Sequence, residues 1–196
     1  MDTDLIWFYA RTHDLRATDL MQGPMYGLST NESDADKRLA PFFNYDDIFG
    51  TSLNRFLVQA AAGVPLTVYG KGGQTRGYLN IKDTISCIRL AAENPIPAGE
   101  LRILNQFVET FRVNDLARRV AEVGRGMGLD VTVNNIPNPR KEAEDHYYNP
   151  AHSGLLKLGL EPHYLTDDLL AEMLQRVLAY KDRIVQRRIM PRVSWS

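Results

Sequence analysis

Apolar positions recur at helical spacing in several windows and alternate or cluster briefly in others. The opening Met1-Asp-Thr-Asp-Leu-Ile-Trp-Phe-Tyr-Ala-Arg11 places acids ahead of an apolar run, which predicts a helix over residues 1 to 13. Leu15 to Met21 is short and runs into Gln22-Gly-Pro24, the pattern of a strand entering a turn. Residues 28 to 46 are polar and read as loop. Phe49, Leu53, Phe56, Leu57 and Ala60 then fall on one helical face, closed by Gly63-Val-Pro65. An extended Arg76 to Ile81 precedes a helix over 83 to 93, and Glu100 to Gln106 reads as another strand. Asn114 is placed to cap a helix bearing Leu116, Val120 and Val123, and Val131-Thr-Val133 is a short strand. A last helix starts at Thr166 with Asp167 and Asp168, and its charge order carries it to Lys181, Arg183, Arg187 and Arg188. Strands alternating with helices, without an internal repeat, predict an α/β fold.

Charge and cysteine usage narrow the function. The formal charge is -1, so no global field gathers nucleic acid or an anionic membrane, and an anionic ligand needs a local cluster of cations. No apolar run reaches the roughly 18 residues of a membrane span. The single Cys87 excludes an internal disulfide and points to a reducing, cytoplasmic compartment. His13, His146, His152 and His163 show no metal-ligand spacing with Cys87, so no metal site is expected. Asn31-Glu-Ser33 is a glycosylation sequon by letter alone.

Chemistry concentrates in two stretches. Tyr69-Gly-Lys-Gly-Gly-Gln-Thr-Arg76 reads either as a hairpin turn or as an anion-binding loop, in which glycines admit a close backbone while Lys71 and Arg76 neutralise phosphate. Its spacing is not that of a Walker loop. Gly124-Arg-Gly-Met-Gly128 reads as a helix C-terminal cap. Tyr78-Leu-Asn-Ile-Lys82 matches the Tyr-x-x-x-Lys pattern of nicotinamide-dependent dehydrogenases by letter. That chemistry needs Tyr and Lys one helical turn apart, whereas a strand would separate them by about 13 Å. The second stretch, Asn138 to Pro150, is either a surface loop or a ligand-facing one, with Arg140 as a bidentate phosphate donor and His146, Tyr147, Tyr148 and Asn149 beside it.

Taken together, Arg16-Ala-Thr-Asp-Leu-Met-Gln-Gly-Pro-Met-Tyr-Gly27, Tyr45-Asp-Asp-Ile-Phe-Gly-Thr-Ser-Leu-Asn-Arg-Phe56, Leu66 to Tyr78, Pro137 to Asn149, Leu158 to Leu165 and Ile189 to Trp195 resemble the UDP-sulfoquinovose synthases. These are extended short-chain dehydrogenase/reductases. The resemblance is to the C-terminal half. It implies the end of a Rossmann sheet (1–27 and 76–107) and a sugar-nucleotide subdomain (28–75 and 108–196). The family's Gly-x-x-Gly-x-x-Gly and its catalytic Thr, Tyr and Lys have no counterpart here, so Met1 is expected to be an internal methionine and no catalytic residue is assigned.

By the same resemblance, Gln22, Gly23 and Tyr26 contact the cofactor, with Met21 where many relatives carry Asn. Met25, Asn54, Arg55, Tyr69, Lys71, Gln74, Arg76, Arg140, Tyr148 and Asn149 contact the substrate. The complete enzyme would use NAD to oxidise UDP-glucose at C4. The C5 proton is thereby acidified, water leaves from C6, sulfite adds, and C4 is reduced again. This chain alone is expected neither to hold NAD tightly nor to turn over. UDP-sugar and sulfite are the implied small-molecule partners, and a homodimer is open to the fold. Competing expectations are another UDP-sugar epimerase or dehydratase, or a non-catalytic nucleotide-sugar-binding chain.

Overall fold

The structure is a computed structural model that describes residues 2–46, 49–138 and 148–190. Helix α1 (Asp2–Thr12) has Asp2 and Asp4 in its first turn and Arg11 in its last, and Thr3 Oγ1 donates to Asp19 of the next element at 2.7 Å. Strand β1 (Ala17–Gln22) leads to the two-residue β2 (Met25–Tyr26). Helix α2 (Asn31–Ala35) and helix α3 (Ser52–Ala62) follow, then β3 (Leu66–Tyr69), β4 (Thr75–Asn80) and α4 (Ile81–Glu93). The chain continues through β5 (Leu101–Gln106), β6 (Glu109–Arg112), α5 (Val113–Gly126) and β7 (Val133–Ile136). It ends in α6 (Ser153–Lys157) and α7 (Asp167–Leu178).

The α/β expectation holds. β1 pairs parallel with β5, from Ala17 opposite Leu101 to Gln22 opposite Gln106. β4 lies between β2, which is parallel to it, and β6, which is antiparallel. β3 pairs parallel with β7. Parallel pairing requires a crossover, and the stretch between β1 and β5 supplies one that contains α2, α3 and α4.

Several local expectations need correction. The Gly-rich stretch is not a hairpin turn, because β3 and β4 do not pair with one another. Residues 28 to 46 contain α2, where Thr30 Oγ1 accepts from Ser33 N (3.2 Å) while Ser33 Oγ accepts from Thr30 N (2.8 Å), a reciprocal cap. Asn114 does not cap α5: the helix begins at Val113 straight from β6, and the Asn114 amide turns to the Lys71 carbonyl. The last helix stops at Leu178, and Lys181–Arg183 and Gln186–Arg188 are separate single turns. Thr166 does cap that helix, accepting from Leu169 N at 3.1 Å.

The larger core forms around α3, whose Leu53, Phe56 and Leu57 are fully buried against Leu116 and Val120 of α5 and Leu170 and Met173 of α7. Gln59 is polar yet fully buried. Its amide donates to Thr67 Oγ1 and Ile189 O (2.8 Å each) and accepts from Thr67 N (2.9 Å), which ties α3 to β3 and to the chain's last turns. A smaller core contains Leu79, Cys87, Leu104, Leu155 and Leu160.

Candidate functional site

The parallel pair β1 and β5 ends at a cavity of about 440 Å³, walled by Gln22, Gly23, Asn105, Phe107, Tyr148 and Pro150 among others. The carboxyl ends of parallel strands are where open α/β sheets bind ligands. Gly23 N donates to Gln106 O at 3.2 Å, and a Cβ at Gly23 would lie 2.8 Å from Gly77 O, so only glycine lets this strand end approach β4. The opposite wall is built on Phe107, with His152 at 4.7 Å between ring centroids and Tyr148 at 6.0 Å. Asn105 Nδ2 donates to Ala151 O at 2.7 Å and fastens that wall to β5. Met21 and Gln22 are exposed at the rim.

A second group of side chains gathers where β4 passes the first turn of α3. Alternation puts Gln74, Arg76 and Tyr78 on one face of the extended chain. Tyr78 Oη lies 2.8 Å from Ser52 Oγ, so that face looks onto the α3 N-terminus. Arg55 donates to Tyr69 Oη (2.9 Å) and to Thr67 O (3.0 Å), with its guanidinium 4.4 Å from the centre of the Tyr69 ring. Asn54 Nδ2 donates to Asn44 O at 2.9 Å, but its Oδ1 is buried without a partner among the described residues, as are both amide atoms of Gln74, a residue only 3% exposed. Buried amide atoms left unpaired are costly, by about 1–3 kcal/mol each. Lys71 is exposed next to Gly72, whose φ of +69° and close approach to Asn114 and Val68 exclude a side chain.

Not every expected site residue joins these groups. Tyr26 is 1% exposed and its hydroxyl is engaged by Glu109 Oε1 (2.5 Å) and His163 O (2.8 Å), so this phenol serves the packing. Met25 pairs with Leu79 in the short β2. Asn149 is exposed beyond Tyr148. Arg140 lies outside the described residues. Sequence reading missed Ser52, Phe107 and His152, and set Tyr78 aside. The Tyr78 to Lys82 match is indeed no helical pair, since Tyr78 is in β4 and Lys82 in α4. Period-2 spacing from Gln74 and Arg76 was the available pointer to Tyr78.

Burial raises the Tyr26 phenol above its ordinary value, reinforced by Glu109, and burial likewise raises Tyr78 against the opposing bond from Ser52. Both therefore favour the folded state as neutral phenols. Their contribution is intact below the ordinary phenol value of about 10 and declines as pH rises above it. In an alkaline titration followed at 295 nm, two or more of the nine tyrosines should ionise only as the chain unfolds. Tyr26→Phe should shrink that late step. Full ionisation before the loss of helical signal would contradict both placements.

The combined geometry, a strand-end cavity beside a basic, glycine-rich wall, is that of extended short-chain dehydrogenase/reductase folds. UDP-N-acetylglucosamine 4-epimerase from Methanobrevibacter ruminantium, solved with UDP-N-acetylmuramic acid, superposes with a TM-score of 0.69 at 14% identity, over 91% of this chain and 51% of that one. UDP-glucuronic acid 4-epimerase from Bacillus cereus, solved with UDP-glucuronic acid and NAD, gives 0.63 at 20% identity, over 92% of this chain and 49% of that one. No family model matches the chain.

By sequence, its homologues are UDP-sulfoquinovose synthases. The chloroplastic one of Spinacia oleracea is 53% identical over all of this chain and 40% of its own length. That of Sulfolobus acidocaldarius is 41% identical over 99% of this chain and 50% of its own. The chain thus spans about half, or less, of the length of these relatives.

Proposed function

We propose that this chain is the UDP-sugar-holding portion of a UDP-sulfoquinovose synthase, which converts UDP-glucose and sulfite to UDP-sulfoquinovose and water. The observation that carries the reading is the buried Gln74 amide, without a partner among the described residues, on the same face as Arg76 and opposite the N-terminus of α3. Arg76 and Lys71 supply charge for a diphosphate, and the α3 amide dipoles add to it. Tyr69, held flat under Arg55, offers a ring for uridine, while Gln74 and Asn54 gain partners on binding. Arg140 is assigned to the diphosphate by resemblance. The hexose then reaches the strand-end cavity between Gln22 and Gly23 on one side and Tyr148 on the other. Anchoring the remote diphosphate fixes the sugar for reaction at C4 to C6.

In the complete enzyme NAD would supply a reversible two-electron oxidation at C4, and Gln22 and Gly23 would border its nicotinamide end. The residues present fit the edge of such a cofactor: exposed Gln22 and the close-packed Gly23 end β1 at the cavity. The chain supplies no pyrophosphate cradle among its described residues. Residues 1–27 and 76–107 are read as the dinucleotide-side unit, and 28–75 with 108–196 as the sugar-nucleotide unit. Leu79, Cys87 and Leu104 of the first unit share the smaller core with Leu155 and Leu160 of the second, while Tyr26 and Tyr78 of the first unit lie in the larger core.

A homodimer is proposed through α1. Ala10 and Thr3 face β1, whereas Leu5, Phe8 and Tyr9, spaced i, i+3, i+4 on the other side, are 57%, 54% and 48% exposed. A cytoplasm-like compartment suits Cys87, buried with its thiol pushed up to about 11. No helix among the described residues is long and apolar enough to cross a membrane.

Calorimetry with UDP tests the site directly. Arg76→Ala should weaken binding by about 1.5–3 kcal/mol, or about 10- to 150-fold, the loss of a hydrogen bond to a charged group. Unchanged affinity would remove Arg76 from the site. In the complete enzyme, loss of UDP-glucose should depend on sulfite. C4 epimerisation without sulfite would instead favour an ordinary epimerase.

A further inference from the structure

A cleft of about 780 Å³ opens between the 28–45 segment and the end of α7, and it shares no lining residue with either part of the candidate site. Its volume is that of small-molecule pockets. Val58 of α3 and Val177 of α7 form a floor that belongs to the main core, and Leu28, Phe43 and Ile184 pack beside them. Tyr45 Oη accepts from Val185 N at 3.2 Å, which fixes the wall formed by the chain after α7.

The charges at the rim do not balance. Asp34 is answered by Arg176 at 3.4 Å and by Lys82 at 3.9 Å. Arg176 also meets Glu172 at 3.0 Å and sits in the last turn of α7, where it offsets the carbonyl end of the dipole. Lys37 and Arg183 remain. Neither is ion-paired with a carboxylate among the described residues, and the Arg183 guanidinium rests 5.0 Å from the centre of the Tyr180 ring.

We propose that this cleft binds a small amphiphilic monoanion, whose apolar body lies on Leu28, Phe43 and Ile184 above the buried Val58 and Val177 and whose acid group meets Lys37 and Arg183. An apolar floor under two cations that no carboxylate among the described residues pairs favours that class over a neutral or cationic amphiphile.

Titration calorimetry of the protein with octanoate and with octylammonium tests the assignment. Octanoate should bind saturably at one site and octylammonium about tenfold or more weaker, the scale of a lost charge-assisted contact. Lys37→Glu/Arg183→Glu, which changes exposed side chains only, should weaken octanoate by a similar factor and reverse the preference. Val177→Trp should abolish octanoate binding by filling the floor. If that variant loses its helical signal, the charge-reversed pair decides alone. Equal affinity for the two amphiphiles, or octanoate affinity unchanged by charge reversal, overturns the proposal. So does binding that disappears with Phe8→Glu instead, which would put the amphiphile on α1.

Discussion

Asp83→Ala should lower the melting temperature by about 10 °C, the equivalent of about 2–4 kcal/mol in a chain of this size. Asp83 stands at the third position of α4 and is fully buried. One carboxylate oxygen accepts from His163 N at 2.8 Å, and the other meets His163 Nδ1 at 2.6 Å. The His163 carbonyl is held from the other side by Tyr26, and Glu109 Oε1 accepts from Leu165 N at 2.9 Å. The segment joining α6 to α7 is thus fixed through its backbone by side chains of α4, β2 and β6. Removing the carboxylate leaves a part-buried amide N–H without an acceptor, which costs more than removing the half-exposed imidazole. Asp83→Asn retains one acceptor, and its amide N–H can meet the other imidazole tautomer, so it should lose about half as much as Asp83→Ala. His163→Ala should cost about 1 kcal/mol. Thermal unfolding followed by circular dichroism ranks the three, and a Asp83→Ala loss no greater than that of His163→Ala would show that the backbone bond holds nothing.

Contacts of this kind also mark where sequence reading stops. α1, β1, α3, β5 and the start of α7 were legible because their signals are local: acids in a first turn, Gly63 in a left-handed C-cap (φ +73°), Thr166 accepting from Leu169 N. β6 carries a single large apolar residue, Phe111, in Glu-Thr-Phe-Arg, and is a strand because β4 offers it an edge. The five-residue α6 is short for any periodicity. The Asp83–His163 and Tyr26–Glu109 pairs join residues 80 and 83 positions apart, a distance no spacing rule spans. The Gly-rich loop resembled a hairpin because its flanks are both strands, but each flank had a better partner elsewhere. The candidate site was legible through resemblance for Gln74 and Arg76. Phe107 and His152 were not, since their value lies in a ring contact across 45 residues.

That ring contact gives the other large effect. Gly77→Val should destabilise the chain by about 3 kcal/mol, at the upper end of overpacking costs. A Cβ there would lie 2.5 Å from Phe107 Cγ and 2.6 Å from Cδ2, while β4 is held between β2 and β6 and cannot retreat. Phe107 is 3% exposed and must therefore move, and with it the ring of His152 that rests against it and the ring of Tyr148 that walls the strand-end cavity. Phe107→Leu alone opens space and should cost about 1–2 kcal/mol. Combined with Gly77→Val it should recover stability relative to Gly77→Val, because the branched side chain then occupies the volume the ring gave up. Urea unfolding of the two single variants and the double variant gives the coupling directly. A double variant no more stable than Gly77→Val would mean that the added methyls meet some other obstacle. If the recovery appears while UDP binding stays intact, the Phe107 wall is not needed to hold the nucleotide proposed at the Gln74–Arg76 cluster.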